Sequence, residues 1–362
     1  MVLVESNRFL VQLENSYLCI YHLIKHRKKV QFLAMRDKTI LVTGGAGYIG
    51  SVCTELLLAR GYRVIVLDNL QTGHRKAVHP KAEFIKGNIG NKSLLGRLFN
   101  GNSIIAVIHF AAETLVTAAN TRPQSYLANN LVQGVHLLDT MLRYGCKQIV
   151  FSSTAAVYGE PNDFPIVETH ETNPLNAYGD SKLMFEKVLK HYSNAYGIKS
   201  VVFRYFNAAG CTKHYGELHN PETHLLPLIL RVPLRQSDYI NIYGDDYDTR
   251  DGTCIRDYVH VSDIANAHLL ALERIEDLNN PTYNLGNGTG FTVKEVIATA
   301  ERISQCEIPV RIKPRRSGDP AVLVASAAKA RGELGWNPNY TDLESIVESS
   351  WSWHLRHKDG YD

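Results

Sequence analysis

A tyrosine and a lysine at helical spacing are the residues that point most directly to chemistry. Tyr178 and Lys182 stand four positions apart in the run YGDSK, so they share one face if the run is helical. A phenol on its own ionises near pH 10, and a neighbouring positive charge is what lets it act as a base at neutral pH. The pair therefore predicts an acid/base couple, although the same spacing occurs by chance on many surface helices.

A run of hydroxyl side chains follows an apolar stretch earlier in the chain. Ser152, Ser153 and Thr154 come directly after the predicted strand at residues 148–151, in the run SSTAAVYG. Open α/β sheets bind their ligands at the carboxyl ends of strands. Thr154 is therefore expected to hydrogen-bond a reacting hydroxyl and to pass its proton to Tyr178. A hydroxyl-capped strand end without a function is the alternative.

A glycine-rich turn, TGGAGYIG at residues 43–50, joins the first predicted strand to a helix. Its glycines Gly44, Gly47 and Gly50 let the backbone approach a pyrophosphate, whose charge then rests on the amides of the helix N-terminus. Asp68 ends the second predicted strand, where a carboxylate can bind the ribose hydroxyls of adenosine. Because this carboxylate also repels the 2′-phosphate of NADP, the pattern predicts NAD, whose cationic nicotinamide would assist Tyr178.

The elements around these residues alternate short β-branched runs with longer helical stretches, which is typical of a parallel sheet covered by helices on both faces. We predict an α/β fold in which residues 35–207 form a Rossmann-type doubly wound sheet of six or seven strands that binds NAD. Residues 208–362 would form a smaller α/β region that binds the substrate, with segments able to pass back to the sheet. The expected strands are 39–42, 63–67, 83–85, 104–110, 148–151, 200–203, 241–244 and 281–286, the last two in the smaller region, and the expected helices are 51–60, 123–144, 178–196 and 292–303.

The composition fits a folded globular chain and argues against other classes. The chain has 362 residues, of which 44% are hydrophobic and 21% charged. Its net charge of +3 is too close to balance for a nucleic-acid partner. The six cysteines show no CxxC pair and no zinc-type spacing, so neither a disulfide framework nor a metal site is expected.

The ends and apolar runs of the chain bear on its location. No run reaches the roughly 18 apolar residues of a membrane span, and the N-terminus lacks the apolar core of a secretory signal, so we expect a cytoplasmic protein without a membrane partner. Residues 1–34 form a mixed apolar and basic prefix. An upstream-start or annotation artefact is one interpretation, and a real but nonessential extension or targeting segment is the other.

A larger set of motifs accompanies these residues along the chain. It comprises TGGAGYIG, HFAA at 109–112, NNLVQG at 129–134, SSTAAVYG, YGDSK, RYFNAAG at 204–210, PETHLLP at 221–227, DGTCIRDYVHVSD at 251–263, YNLGNG at 283–288 and PRRSGD at 314–319. As a set these motifs resemble the UDP-glucose 4-epimerases of the extended short-chain dehydrogenase/reductase superfamily, over roughly residues 38–361. The resemblance implies a homodimer that joins through helices such as residues 123–144.

The resemblance also implies an activity and its cofactor. The expected reaction inverts C4 of UDP-glucose and UDP-galactose through a transient 4-keto sugar, with NAD held tightly and regenerated in each turnover. Thr154, Tyr178 and Lys182 are the implied catalytic residues. The implied contacts to NAD are Gly44, Gly47, Tyr48, Ile49, Gly50, Asp68, Asn69, Asn88, Ile89, Phe110, Ala111, Ala112, Asn129, Tyr178, Lys182 and Tyr205.

A second group of residues is implied to hold the UDP-sugar. Its diphosphate needs charge-assisted donors, for which Arg256 and Arg316 are the natural candidates. Tyr243 offers a flat face for uracil, although a lone aromatic is more often part of a core. The implied substrate contacts are Thr154, Tyr178, Phe206, Asn207, His224, Leu225, Asn241, Ile242, Tyr243, Arg256, Arg316, Asp319 and Leu323.

Two departures from the family pattern bear on cofactor affinity rather than on cofactor identity. Asn88 stands where relatives commonly carry Asp, and its amide oxygen can still accept a hydrogen bond. The stretch after HFAA contains Thr114 and lacks the lysine that some relatives place near the cofactor phosphates.

Other functions remain as alternatives at this point. A 4,6-dehydratase would carry Asp-Glu after the active threonine, where this chain has Ala155 and Ala156. The position that gates sugar bulk aligns with Leu323, which is intermediate in size, so an epimerase for UDP-GlcNAc, UDP-GalNAc or another UDP-sugar stays open. An idle NAD-binding scaffold is the third alternative, and the intact set of Thr154, Tyr178 and Lys182 argues against it.

Overall fold

The computed structural model describes residues 38–161, 163–316 and 318–361. The prefix at residues 1–34, whose two interpretations the sequence left open, lies outside the described residues. Within the described part of the chain, no helix is both long enough and apolar enough to cross a membrane.

Short strands and longer helices alternate along most of the chain. The strands are β1 (Thr39–Thr43), β2 (Arg63–Asp68), β3 (Glu83–Lys86), β4 (Ile104–His109), β5 (Gln148–Thr154), β6 (Lys199–Tyr205), β7 (Asn207–Ala209), β8 (Ile240–Tyr243), β9 (Ile255–Arg256), β10 (Tyr258–His260), β11 (Thr282–Leu285), β12 (Phe291–Thr292), β13 (Val310–Lys313) and β14 (Val322–Leu323). The α-helices are α1 (Tyr48–Arg60), α2 (Lys92–Gly101), α3 (Val116–Ala119), α4 (Pro123–Tyr126), α5 (Gln133–Arg143), α6 (Ala177–Tyr196), α7 (Leu225–Leu230), α8 (Val261–Arg274), α9 (Val293–Ser304) and α10 (Leu343–Arg356). Shorter turns of 3₁₀ helix occupy Arg75–Ala77 and Ala155–Tyr158, and turns of π-helix occupy Leu127–Val132 and Ala330–Leu334.

A parallel sheet of seven strands forms the centre of the fold and confirms the predicted doubly wound α/β class. Its strand order is β3-β2-β1-β4-β5-β6-β11. The order reverses between β1 and β4, and such a reversal opens a crevice at the carboxyl ends of the strands. The glycine turn follows β1 and the hydroxyl run ends β5, so both lie at this edge.

Successive residues of the strands supply two cores, one on each face of the sheet. In β1, Ile40 and Val42 pack on one face together with Leu57 of α1 and Ile264 of α8. Leu41 packs on the other face with residues of α2, α5 and α6. Because both faces are buried, the strands have nearly continuous apolar sequences rather than alternating ones.

A smaller region packs against the carboxyl edge of the sheet. Its centre is the parallel pair of β8 and β13, and its core includes apolar side chains of α7, α9 and α10. Helix α9 begins with a capping box, in which Thr292 and Glu295 each accept a hydrogen bond from the other's backbone amide. The region faces the crevice across from the glycine turn.

The sequence placed residues 281–286 in the smaller region, and the structure places them in the large sheet. Strand β11 pairs in parallel with β6, with Tyr283 opposite Phe203. Tyr283 and Leu285 are fully buried. The edge of β6 would otherwise leave backbone groups unpaired, and β11 satisfies them.

Several elements differ from the prediction in their bounds, and two of these differences bear on the site. Strand β5 continues to Thr154 because Ser152–Thr154 pairs with Phe203–Tyr205 of β6. The helix expected at residues 123–144 is divided into α4 and α5 by the π-helical turn at Leu127–Val132. Asn130 within this turn bonds Ser181 of α6 at 3.0 Å and the backbone of Glu113, so the wider turn ties three segments together.

Candidate active site

One large cleft lies between the carboxyl edge of the sheet and the smaller region. Its volume is about 860 Å³, which falls in the range of cofactor and ligand sites. Every residue that the sequence predicted for catalysis, NAD or the UDP-sugar lies in the wall of this cleft. The structure therefore brings the whole predicted set together, and the individual roles remain predictions.

The glycine turn forms the floor of one half of the cleft. Gly44 has φ +73°, and a Cβ there would lie 2.6 Å from the backbone nitrogen of Ala111, so only glycine fits. A Cβ on Gly50 would lie 2.3 Å from the carbonyl oxygen of Gly44. Gly47 caps the N-terminus of α1 without a side-chain hydrogen bond, which leaves amides of the first helical turn for a ligand. This cradle of backbone fits a dinucleotide pyrophosphate.

Asp68 closes the same half of the cleft at the end of β2. Its Oδ2 accepts a hydrogen bond from the amide of Ala46 at 3.0 Å, and its Oδ1 accepts one from Leu70 at 2.8 Å. Burial raises the pKa of Asp68, and these two backbone hydrogen bonds oppose the shift. The carboxylate is thus fixed beside the turn, and the residues present fit the adenosine end of NAD.

Asn88, the departure from the family pattern, lies in this half as well. Its Oδ1 accepts a hydrogen bond from the amide of Gly90 at 2.6 Å and shapes the turn after β3. An oxygen acceptor is enough for that turn. Asn88 can still bind a cofactor through the second lone pair of its Oδ1 and through its side-chain amide nitrogen.

The predicted acid/base residues meet where β5 and α6 enter the cleft. Asn176 caps α6 by accepting a hydrogen bond from the amide of Gly179 at 3.0 Å, and this fixes the helix start at Ala177, next to Tyr178. Burial raises the pKa of the Tyr178 phenol to about 12, and its hydrogen bond with Thr154 opposes the shift. Burial thus disfavours the Tyr178 phenolate, and a positive charge nearby would favour it.

Lys182 lies one helical turn beyond Tyr178 and is almost fully buried. Its Nζ donates a hydrogen bond to the carbonyl oxygen of Ser152 at 2.8 Å and lies 6.0 Å from the centre of the Tyr178 ring. Burial lowers the pKa of Lys182 to about 7, and the negative charge of Glu186 opposes the shift. The ammonium is thus held between the end of β5 and the tyrosine.

The other half of the cleft carries the predicted contacts to the nucleotide of the substrate. Arg256 is 8% exposed and forms an ion pair with Asp319, so these two residues act as one unit. The guanidinium of Arg316 lies 4.0 Å above the ring of Tyr243, which is 37% exposed. Asn241 has a buried Oδ1 without a hydrogen-bond partner in the described chain, as expected for an atom that a ligand completes.

Several residues that line the cleft or hold its walls were not among those predicted from the sequence. Glu186 pairs with Arg204 and its negative charge acts on Lys182. Ser152 bonds Lys182 through its carbonyl oxygen and Tyr205 through its hydroxyl. The motif PETHLLP was recognised, but its carboxylate, Glu222, was not singled out. Spacing alone does not signal the role of Glu186, since its partner Arg204 is distant in sequence.

Comparisons with known proteins agree with this geometry. The model of the NAD-dependent epimerase/dehydratase family matches residues 40–286. A UDP-glucose 4-epimerase of Halalkalibacterium halodurans is 51% identical over 325 residues, which cover 89% of this chain and 97% of that protein.

Solved structures give the same result at the level of the fold. The crystal structure of a UDP-glucose 4-epimerase has a TM-score of 0.88 at 46% identity, with 90% of this chain and 99% of that chain covered. The enzyme from Bifidobacterium longum in complex with NAD+ and UDP has a TM-score of 0.85 at 37% identity, with 89% and 99% covered.

Proposed function

Since the chain belongs to the NAD-dependent epimerase/dehydratase family, we propose that Thr154, Tyr178 and Lys182 carry out the C4 epimerisation by which it interconverts UDP-glucose and UDP-galactose. The observation that supports these roles most directly is the meeting of the three residues at the edge of the sheet, between the glycine turn and the arginines of the smaller region. One cleft can therefore hold a dinucleotide and a nucleotide sugar with the reacting carbon beside Tyr178.

The proton transfer is the part of the reaction that the chain's own residues perform. Bound NAD supplies the hydride acceptor and donor at C4. Tyr178, as phenolate, takes the proton of the 4-hydroxyl through or beside Thr154, and the sugar becomes a 4-keto sugar. Tyr178 then returns the proton to the 4-oxygen, and the hydride that the cofactor would give back would enter the opposite face of C4, which inverts that centre. Lys182 keeps a positive charge near the phenolate and thereby stabilises it.

The electrostatics of Tyr178 and Lys182 explain why the cofactor contributes to acid/base catalysis. Burial raises the pKa of Tyr178 to about 12. A cationic nicotinamide next to the phenol lowers that pKa, and Lys182 adds to the effect when it is protonated. Oxidised NAD bound there would thus favour Tyr178 as a base, and reduced NAD would favour it as an acid.

Inversion requires that the sugar turn while the nucleotide stays in place. Arg256 with Asp319 and Arg316 over Tyr243 are the candidates that hold the UDP end. Arginine suits a diphosphate because its guanidinium can donate two parallel hydrogen bonds. The unpaired Oδ1 of Asn241 adds a polar contact in the same wall.

Leu323 is proposed as the residue that limits the size of the sugar. It lies in β14 opposite Arg256 of β9 and packs against the apolar cluster that includes Phe206 and Tyr158. A leucine there is fixed by these contacts and narrows the sugar end of the cleft. We expect glucose and galactose to fit better than their N-acetylated counterparts.

We also propose the domain division and assembly that the sequence predicted. Residues 35–207 bind NAD and residues 208–362 mainly bind the UDP-sugar, with β11 returning to the sheet. A homodimer would form along residues 123–144, where Val132 is 50% exposed. A reducing cytoplasm suits the chain, since the described cysteines Cys53, Cys146, Cys211, Cys254 and Cys306 are free.

The activity is tested by incubating the purified protein with UDP-galactose without added NAD and following UDP-glucose. We expect conversion, because NAD stays bound through each turnover. UDP-GalNAc is run in parallel as the test of the Leu323 gate, and we expect it to react more slowly. No conversion of either sugar, even with NAD supplied, would contradict the proposed function. Equal conversion of both would contradict the gate alone.

A further inference from the structure

A cluster of two histidines and two glutamates lies in the loop that leads into α7. Each side chain offers one ligand atom, and these atoms all lie within 4.8 Å of one another. The cluster consists of Glu217, His219, Glu222 and His224. We propose that this His/Glu cluster binds a divalent transition-metal cation of the zinc type in the wall of the cleft.

Four distances within the His/Glu cluster, two of them to different oxygens of Glu222, lie near those of a tetrahedral ligand set. Bonds of about 2.0–2.2 Å from zinc to nitrogen and oxygen place tetrahedral ligand atoms about 3.4 Å apart. The Nδ1 of His224 lies 2.8 Å from an oxygen of Glu222 and 3.1 Å from one of Glu217. The Nδ1 of His219 lies 3.5 Å and 3.7 Å from oxygens of the same two carboxylates. The observed spacings bracket the tetrahedral value.

The negative charge of the His/Glu cluster also favours a bound cation. The side chains of Glu217 and Glu222 are only 6% and 2% exposed. Two carboxylates in one buried site repel each other, and buried charges persist in proteins when they are paired or bind a metal. When both imidazoles are neutral, as metal ligation requires, the two ionised carboxylates give the cluster a charge of −2, which one divalent cation neutralises.

The loop backbone holds one of the carboxylates in place. Glu222 accepts hydrogen bonds from the amides of Thr223 at 2.8 Å, His224 at 2.9 Å and His219 at 3.2 Å. Such contacts orient a metal ligand before the metal arrives. The buried Nδ1 of His219 has no hydrogen-bond partner in the described chain, which leaves it available as a ligand.

The donor set selects the class of metal. Imidazole nitrogen together with carboxylate oxygen suits Zn²⁺ and its neighbours in the first transition row, whereas Mg²⁺ and Ca²⁺ prefer oxygen alone. The sequence predicted no metal site because the cysteine spacing was wrong for zinc. This cluster contains no cysteine, so that argument did not apply to it.

Protonated histidines are the competing way to neutralise the carboxylates. Against the lowering effect of burial, the charges of Glu217 and Glu222 raise the pKa of His224 to about 9. A metal ion must therefore displace protons when it binds, and binding should weaken as the pH falls. Neutralisation by protonated histidines and neutralisation by a metal ion differ in whether the protein binds a divalent cation at neutral pH.

The test is a titration of the full-length protein, free of a purification tag and stripped with a chelator, with Co²⁺ and then Zn²⁺ at neutral pH. We expect one equivalent of Co²⁺ to give the visible bands of a tetrahedral ion, and Zn²⁺ to displace it. Glu217→Gln and His219→Gln should each weaken binding at least about tenfold, because outer-shell changes alone cost about 10- to 100-fold.

The matched control is His214→Gln, which removes an exposed histidine that lies 2.6 Å from Glu55 outside the cluster. This variant should bind Co²⁺ like the wild type. Bound NAD and the melting temperature are measured in each variant, so that a lost metal site is separated from a damaged cleft. Absence of a tetrahedral spectrum in the wild type would overturn the proposal, as would equal Co²⁺ affinity in Glu217→Gln, His219→Gln and the control.

Discussion

At the scale of single residues, the proposed chemistry depends on the hydroxyl of Tyr178. Tyr178→Phe removes the group that moves the proton and leaves the rest of the cleft intact. We expect turnover to fall by about 10²- to 10⁴-fold, which is the usual contribution of a general base. Turnover is measured with UDP-galactose, and NAD released on denaturation shows whether the cofactor stays bound.

Tyr192→Phe is the control on the same helix. The hydroxyl of Tyr192 donates a hydrogen bond to Asp139 at 2.7 Å on the surface, away from the cleft. This variant should keep wild-type turnover. Full activity in Tyr178→Phe would show that another group takes the proton.

Some properties of single residues could be predicted from the sequence, and others could not. Spacing on a helix placed Tyr178 and Lys182 on one face, because the geometry of a helix is the same in every protein. The pKa of each group was not predictable, since it depends on burial and on charges such as Glu186, which act through the folded structure. The pairing of Arg256 with Asp319 was missed for the same reason.

At the scale of elements, the turn between β1 and α1 has to bring backbone close to the cofactor. A Cβ at Gly50 would lie 2.3 Å from the carbonyl oxygen of Gly44, so Gly50→Ala must push the turn and the helix apart. We expect the purified variant to carry much less NAD and to need added NAD for activity. The measurement is the NAD content per protein and the activity as a function of added NAD.

Gly101→Ala is the matched control for that change. Gly101 ends α2, and a Cβ there would meet nothing within 4 Å. The variant should keep its NAD and its activity. A normal NAD content in Gly50→Ala would show that the turn yields to a side chain and does not fix the cofactor.

Helix α6 and strand β6 are joined by a buried ion pair close to Lys182. Glu186 and Arg204 lie 2.6 Å apart, and each side chain is 8% exposed. Glu186→Gln leaves the Arg204 charge buried without its partner, which typically costs about 3–5 kcal/mol of unfolding free energy. Urea denaturation of the two proteins measures the difference.

An exposed pair serves as the comparison for this prediction. Arg63 and Glu83 also lie 2.6 Å apart, but their side chains are 49% and 43% exposed. Glu83→Gln should change the unfolding free energy by at most about 1 kcal/mol. If Glu186→Gln and Glu83→Gln lowered the unfolding free energy equally, burial would not explain the contribution of the Glu186–Arg204 pair.

Most elements of the sheet were predictable because strands buried on both faces have continuous apolar sequences. The place of β11 in the sheet was not predictable in the same way. Its four residues resemble any short strand, and its position depends on the open edge of β6, which is distant in sequence. The π-helical turn at Leu127–Val132 was missed because its cause is a contact of Asn130 with another helix.

At the scale of the whole molecule, the chain buries several histidines in neutral form. Burial, with a contribution from the charge of Lys182, lowers the pKa of His109 to about 3. Burial also lowers the pKa of His260 and of His268 to about 4. In the unfolded chain the same groups titrate near pH 6.5. The unfolded state therefore binds more protons than the folded state between these values.

This difference in proton binding makes the unfolding free energy of the protein depend on pH. Because the unfolded state takes up protons as the pH falls from about 6.5 to about 4, the unfolding free energy decreases over that range. Each such histidine contributes at most about 1.4 kcal/mol per pH unit. Above pH 6.5 these groups are neutral in both states and add no pH dependence.

His268 allows this prediction to be tested with one substitution. Its ring lies 4.8 Å from the rings of Phe110 and Phe203, in an apolar site between α8 and the sheet. His268→Leu removes one titrating group, so the loss of stability between pH 6.5 and 4 should become less steep by up to about 1.4 kcal/mol per pH unit. Urea denaturation at several pH values measures the slope, and His191→Gln, an exposed histidine of α6, should leave it unchanged. An equal slope in His268→Leu and the wild type would mean that His268 does not drive the acid sensitivity of the fold.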